Sequence, residues 1–248
     1  MNLLIIPFVL AIPAAYGEIT IQNDQKYIGD DGVLHIVGEV KNDLEMPLNQ
    51  IKIHALLYSS DKLITTISSS SLVNNIMPGM KAPFDIMVIR SDASDIDRYD
   101  LDLEYEIANP KRQVIGITSS DISRDGLDNL VITGTVSNNG EITANTVSVV
   151  ATIYDRQGNV AAVSKTHTEP DYLRSSEEAF FLLSIQDGIP MDSIIDYSLV
   201  AESEEYAAVP EFPLGSGLLL ASSVFAYLLL TRYWNKTIAN VVAATDLR

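Results

Sequence analysis

A chain of 248 residues with 47% apolar composition holds enough material for one large or two ordinary domains with real cores, and is not intrinsically disordered. The formal charge is −17, and because Arg232, Lys236, Asp246 and Arg248 sum to +2, the part of the chain ahead of Arg232 carries −19. A surface that acidic, with no basic patch, argues against nucleic acid and against peripheral lipid binding, while the absence of cysteine removes disulfides, thiol catalysis and thiolate metal sites.

The chain begins with an apolar run, Leu3 to Ile12, followed by Ala15 and Gly17 at the −3 and −1 spacing of a cleavage site. This predicts a secretory signal peptide over residues 1–17, although its first residues carry no Lys or Arg; the alternative is a buried first strand.

An internal repeat follows. Residues Val33 to Asn42 match Asn129 to Asn138, with Gly38 over Gly134 and Asn42 over Asn138, a displacement of 96 residues. Continued without a gap, that displacement sets Ile51, Ile53, Ala55, Leu57 and Tyr58 on Val147, Val149, Ala151, Ile153 and Tyr154, then Ile64 on Val160 and Phe84 on Phe180. Within each copy apolar residues alternate with polar ones, as in Leu34, Ile36, Gly38 and Val40, which places one face of each strand on a core. Turn residues such as Asn42-Asp43, Pro78-Gly79, Asn139-Gly140 and Gly158-Asn159 separate the strands.

The expected fold is all-β: two tandem immunoglobulin-like antiparallel β-sandwiches, preceded by the signal peptide and followed by one transmembrane helix. The first domain is expected over 18–108, a linker at Asn109-Pro110, and the second domain over 111–205. So short a linker predicts two domains stacked end to end in a semi-rigid rod, about 70–80 Å long for strands of ordinary length. Residues 206–213 read as an extended, proline-restricted stalk.

Leu214 to Thr231 is a run of eighteen uncharged residues, long enough to cross most of a bilayer's hydrocarbon core, and Arg232, Tyr233, Trp234 and Lys236 supply a cationic and aromatic stop. The ectodomain is therefore expected outside the cell and residues 232–248 inside. The one Asn-x-Ser/Thr sequon, Asn235-Lys236-Thr237, falls on the inner side, which together with the lack of cysteine fits a prokaryotic envelope.

Gly38-Glu39-Val40-Lys41-Asn42 with Ala55-Leu56-Leu57-Tyr58-Ser59, and Gly134-Thr135-Val136-Ser137-Asn138 with Ala151-Thr152-Ile153-Tyr154-Asp155, resemble the FxLYD-type domain, an immunoglobulin-like module of prokaryotic envelope proteins. Both copies have Ala where that family has Phe, and the second has Arg174-Ser175 in place of Pro78-Gly79. The resemblance implies a fold and an extracellular setting, and no enzymatic site or cofactor. Pro210-Glu211-Phe212-Pro213 ahead of the apolar run is similar to the PEF-type sorting signal of archaeal surface proteins, which implies an archaeal cell surface. Sixteen residues follow Arg232, which favours stable anchoring over processing.

Candidate chemistry is sparse. His35 and His54 lie on outward strand faces, with Val131 and Val150 at the equivalent positions, and His167 stands apart; no carboxylate accompanies them at ligand-like spacing. Ser68 to Ser71 lack a nucleophile elbow and an ordered His or Asp partner. Asp92, Asp95, Asp97, Asp100 and Asp102 form the most suggestive cluster, and Asp121, Asp125 and Asp128 a weaker one, because calcium needs several oxygen ligands. Asp95, Asp97, Asp100 and Asp125 are the calcium candidates, beside the linker in sequence, and the competing reading is a solvated acidic edge that resists strand aggregation. The function expected is a non-enzymatic, membrane-anchored surface protein with a protein partner at the cell surface and no cofactor. The alternative is a dedicated subunit of a larger membrane complex, docked through the transmembrane helix and domain loops.

Overall fold

The computed structural model describes residues 17–29, 32–89, 93–126, 129–185 and 194–210. The expected signal peptide up to residue 16, the spanning segment 214–231 and the tail 232–248 lie outside the described residues. Among the described residues no helix is long and apolar enough to cross a membrane.

The protein is all-β and built from antiparallel sheets. In the first copy, β1 (Ile19–Ile28), β2 (Leu34–Asn42) and β6 (Lys81–Val88) form one sheet in the order β1-β2-β6. Facing it, β3 (Leu48–Ser59) is flanked on one side by β4 (Lys62–Ser70) and the short β5 (Asn75–Ile76), and pairs also with β7 (Arg98–Ile107). Leu34, Ile36, Val40, Ile53, Leu57 and Phe84, all alternate residues of their strands, close the apolar core between the sheets. The second copy repeats the plan: β8 (Ile115–Arg124), β9 (Leu130–Asn138) and β12 (Glu178–Ile185) face β10 (Ser148–Asp155), β11 (Val160–His167) and β13 (Ile194–Glu202), with β14 (Val209–Pro210) added at the outer edge of β13.

The repeated Gly-x-Val-x-Asn pattern has a packing cause. Gly38 lies opposite Phe84 and Gly134 opposite Phe181, where a Cβ would come within 2.7 Å of the ring in either copy. Val40 and Val136 fill the cores. The fully buried Asn42 donates from Nδ2 to the carbonyls of Met46 and Ile76 and accepts at Oδ1 from the Leu44 N–H; Asn138 does the same with Ile142, Leu173 and Gly140.

The displacement of 96 does not run without a gap. The β3–β4 hairpin turns through Ser60 and Asp61, both with positive φ (48° and 64°), whereas the β10–β11 hairpin runs through Arg156, Gln157 and Gly158, with φ 84° at the glycine. That extra residue raises the displacement to 97, so Leu63 rather than Ile64 is the counterpart of Val160. Downstream, Phe84 corresponds to the buried Phe181, while Phe180 is 47% exposed. Likewise Pro78-Gly79 corresponds to Ser175-Ser176: Ser176 takes φ 64° and its N–H reaches the Asn138 carbonyl, as that of Gly79 reaches Asn42.

Two further expectations change. Residues 206–210 are not a free stalk: Tyr206, Ala207 and Ala208 are buried, and β14 pairs with Val200 and Ala201. Nor are the two copies joined end to end. The outward residues Val37 and Glu39 of β2 are as buried as its core-facing ones, and Val150 and Val200, opposed across β10 and β13, join the apolar cluster of the first copy together with Ala208. The outer face of the β11-β10-β13 sheet thus lies against the first sandwich, and the described residues up to Pro210 belong to one compact unit. Each buried valine contributes about 1.5 kcal/mol relative to an exposed one, a gain that an end-to-end joint of two residues would forgo.

Candidate functional site

The seam between the copies is closed by two buried carboxylates that strand alternation alone assigns to solvent. Glu39 of β2 has a side chain only 2% exposed; it accepts from Asn23 Nδ2 (3.1 Å), Lys81 Nζ (2.9 Å) and, across the seam, the Tyr154 hydroxyl (2.5 Å). Burial, then the Glu39 charge, pushes the Tyr154 phenol upward, so it stays protonated and donates. Glu202 of β13, equally buried, accepts from the Asn74 N–H (2.9 Å), Asn74 Nδ2 (3.0 Å) and Lys165 Nζ (3.0 Å). Lys165 also donates to the Leu72 carbonyl (2.7 Å) and Gln25 to that of Val160 (2.7 Å). Removing one partner from such a group leaves a desolvated charge behind, which costs about 3–5 kcal/mol.

The histidines have partners that spacing along the chain conceals. His35, 6% exposed, stacks on Tyr27 with ring centroids 5.0 Å apart and places Nδ1 at 2.9 and 3.1 Å from the two Asp85 oxygens. His54 Nδ1 lies 2.6 Å from Ser68 Oγ, its register partner on β4, and Nε2 lies 3.6 Å from Glu104 Oε2 on β7. Ser68 therefore does have an ordered histidine. The trio lies on an outward sheet face, where the N–H groups of β3 are committed to the ladders with β4 and β7 and so are not turned toward a common oxyanion position. His35 and His54 lie on the outer faces of opposing sheets, so they do not form a common site. His167 is exposed at the end of β11.

The acidic candidates are spread along their strands. Asp97 Oδ2 accepts from the Ser60 N–H (2.8 Å) and caps the β3–β4 turn; Asp100 makes a two-pronged pair with Arg98 (2.8 and 2.9 Å). Asp102 accepts from the Leu103 N–H, and Asp125 from the Asn129 N–H and Nδ2. Asp95 is exposed in a single 3-10 turn, Asp121 is exposed on β8, and Asp92 and Asp128 lie outside the described residues. Asp95 and Asp97 precede β7, whose far end leads to the linker, and Asp125 follows β8, so each group is separated from the linker by a strand. Among the described residues no three His, Asp or Glu side chains are grouped to hold a metal ion.

What the acidic residues do form is a row. Asp100, Asp102, Glu104 and Glu106 alternate along β7 and share its outward face, with the exposed Tyr105 and Ile107 at one end. There the β3–β7 register shifts at Gln50, which has φ 49° and donates to Glu106 (2.7 Å). The shift opens a shallow depression of about 440 Å³ lined by Gln50, Lys52, Glu104, Tyr105 and Glu106.

No protein-family model matches the chain, and no curated protein matches it. Among solved structures, the exo-chitosanase CsxA of Amycolatopsis orientalis aligns at 12% identity with a TM-score of 0.28, over 79% of this chain and 26% of that one. A red sea bream transglutaminase aligns at 10% identity with a TM-score of 0.24, over 79% of this chain and 31% of that one. The chain spans under a third of the length of either protein, and likeness this remote carries no argument about activity.

Proposed function

We propose that this is a non-enzymatic, membrane-anchored surface protein whose two immunoglobulin-like sandwiches act as one rigid interaction head. The observation that carries this reading is the seam: two buried carboxylates and the Val150–Val200 pair fix one copy against the other. A rigid head orders its binding surface before a partner arrives, which lowers the entropy lost on association. The apolar run 214–231, with its cationic and aromatic stop, supports a single span that leaves the head outside and residues 232–248 inside. The FxLYD-type reading is supported by the shared roles of Gly38 and Gly134 and of Asn42 and Asn138. The −19 charge ahead of the stop suits a head that meets protein rather than nucleic acid.

Protease treatment of intact source cells tests the topology, with one epitope inserted at Gln157 and another after Arg248. The expected result is loss of the first epitope and survival of the second. Protection of both would place the head inside and overturn the reading.

A further inference from the structure

The two copies use the same sheet face differently. In the second copy the outer face of β11-β10-β13 is covered by the first sandwich, and the free edge of β13 is capped by β14 at Val200 and Ala201. The matching positions in the first copy are identified by register. His54 and Asp102 take the places of Val150 and Val200, Leu103 that of Ala201, and Glu104 that of the seam anchor Glu202. Ser68 takes the place of Lys165, the cation that neutralises Glu202. Glu104 is 72% exposed, and its ion-pair contact among the described residues is His54 at 3.6 Å. Among the described residues β7 pairs with β3 alone, so its outer edge lacks the strand that β14 adds to β13, and the Leu103 N–H, at the position of Ala201, donates instead to the Asp102 carboxylate at 2.8 Å.

We infer that the outer edge of β7 receives an extended, cationic segment of a partner protein, added as a further strand. This rests on the interaction-head reading and names the surface that head offers. Backbone pairing supplies the attachment, and alternate Lys or Arg side chains of the incoming strand face Asp100, Asp102, Glu104 and Glu106, the last two at the depression beside Lys52. Period two in the partner matches period two in β7. A second copy of this chain is disfavoured as occupant, since β7 against β7 would oppose carboxylate to carboxylate. Residues 1–17 carry no Lys or Arg and lack the matching charge.

The test uses the full chain in neutral detergent and a nine-residue synthetic peptide with Lys at alternate positions and Val or Thr between, against the same peptide with Glu for Lys. Hydrogen exchange reads the β7 amides. The expected result is saturable binding of the Lys peptide alone, with slowed exchange at Arg98–Ile107. Asp102→Asn/Glu104→Gln/Glu106→Gln, all on an exposed face, should lower its affinity ~10-fold. No binding, equal binding of the Glu peptide, or binding without protection of β7 would overturn the inference. So would β7 amides already protected in the free chain, which would mean that a segment of the chain itself holds that edge. None of these outcomes bears on the anchored topology, which the protease experiment decides separately.

Discussion

With both Nδ2 hydrogens donated and Oδ1 accepting, the Asn42 side chain replaces water for three backbone groups that the following loop buries, at Met46, Ile76 and Leu44. Asn138 does the same for Ile142, Leu173 and Gly140. Alanine at either position leaves those groups without a partner, and the expected loss is about 3 kcal/mol, read as a fall in the urea midpoint. A loss under about 0.5 kcal/mol would mean that water enters the loop and takes over the bonds. The glycine and the asparagine were legible because both recur in the repeated motif, whereas the ring that requires the glycine, Phe181 in the second copy, shows only in the pairing of the strands. Glu39 and Glu202 were not legible: alternation assigns both to solvent, and what buries them comes from the other copy.

At the scale of elements, period-two alternation identified strands such as the one through Leu34, Ile36, Gly38 and Val40, since each has one face on a core. The one-residue insertion at the second hairpin escaped because the shifted pairs remain plausible: Ile64 and Leu63 are both apolar, and Phe180 and Phe181 are adjacent phenylalanines. Pairing across strands identifies the true counterpart, and it is not encoded in residue type. The shorter hairpin holds Ser60 and Asp61 in the left-handed region, which fits a type I′ turn that Asn-Gly adopts with less strain. Ser60→Asn/Asp61→Gly should therefore stabilise the protein by about 1 kcal/mol, measured as a rise in Tm. A fall would show that the Ser60 N–H bond to Asp97, at 2.8 Å, depends on the residues replaced.

For the whole molecule, the arrangement of the two sandwiches decides which surfaces are available. Burying the outer face of β11-β10-β13 leaves the corresponding face of β4-β3-β7 to present its carboxylates. The sequence could not convey this, because Val37, Val150 and Val200 are single apolar residues on otherwise polar faces, a pattern common at ordinary surfaces. The linker at Asn109-Pro110 limited the separation of the domains without fixing their orientation. With no native cysteine in the chain, two introduced cysteines can carry spin labels free of background. The measurement that bears most directly on the rigid head is the distance distribution between labels at Lys62→Cys and Gln157→Cys, on the two hairpins, in the full chain in detergent. One narrow distance, broadened when Glu39→Ala and Glu202→Ala are added, is the expected result. A broad distribution in the chain with both glutamates intact would contradict it, since the two sandwiches would then move independently.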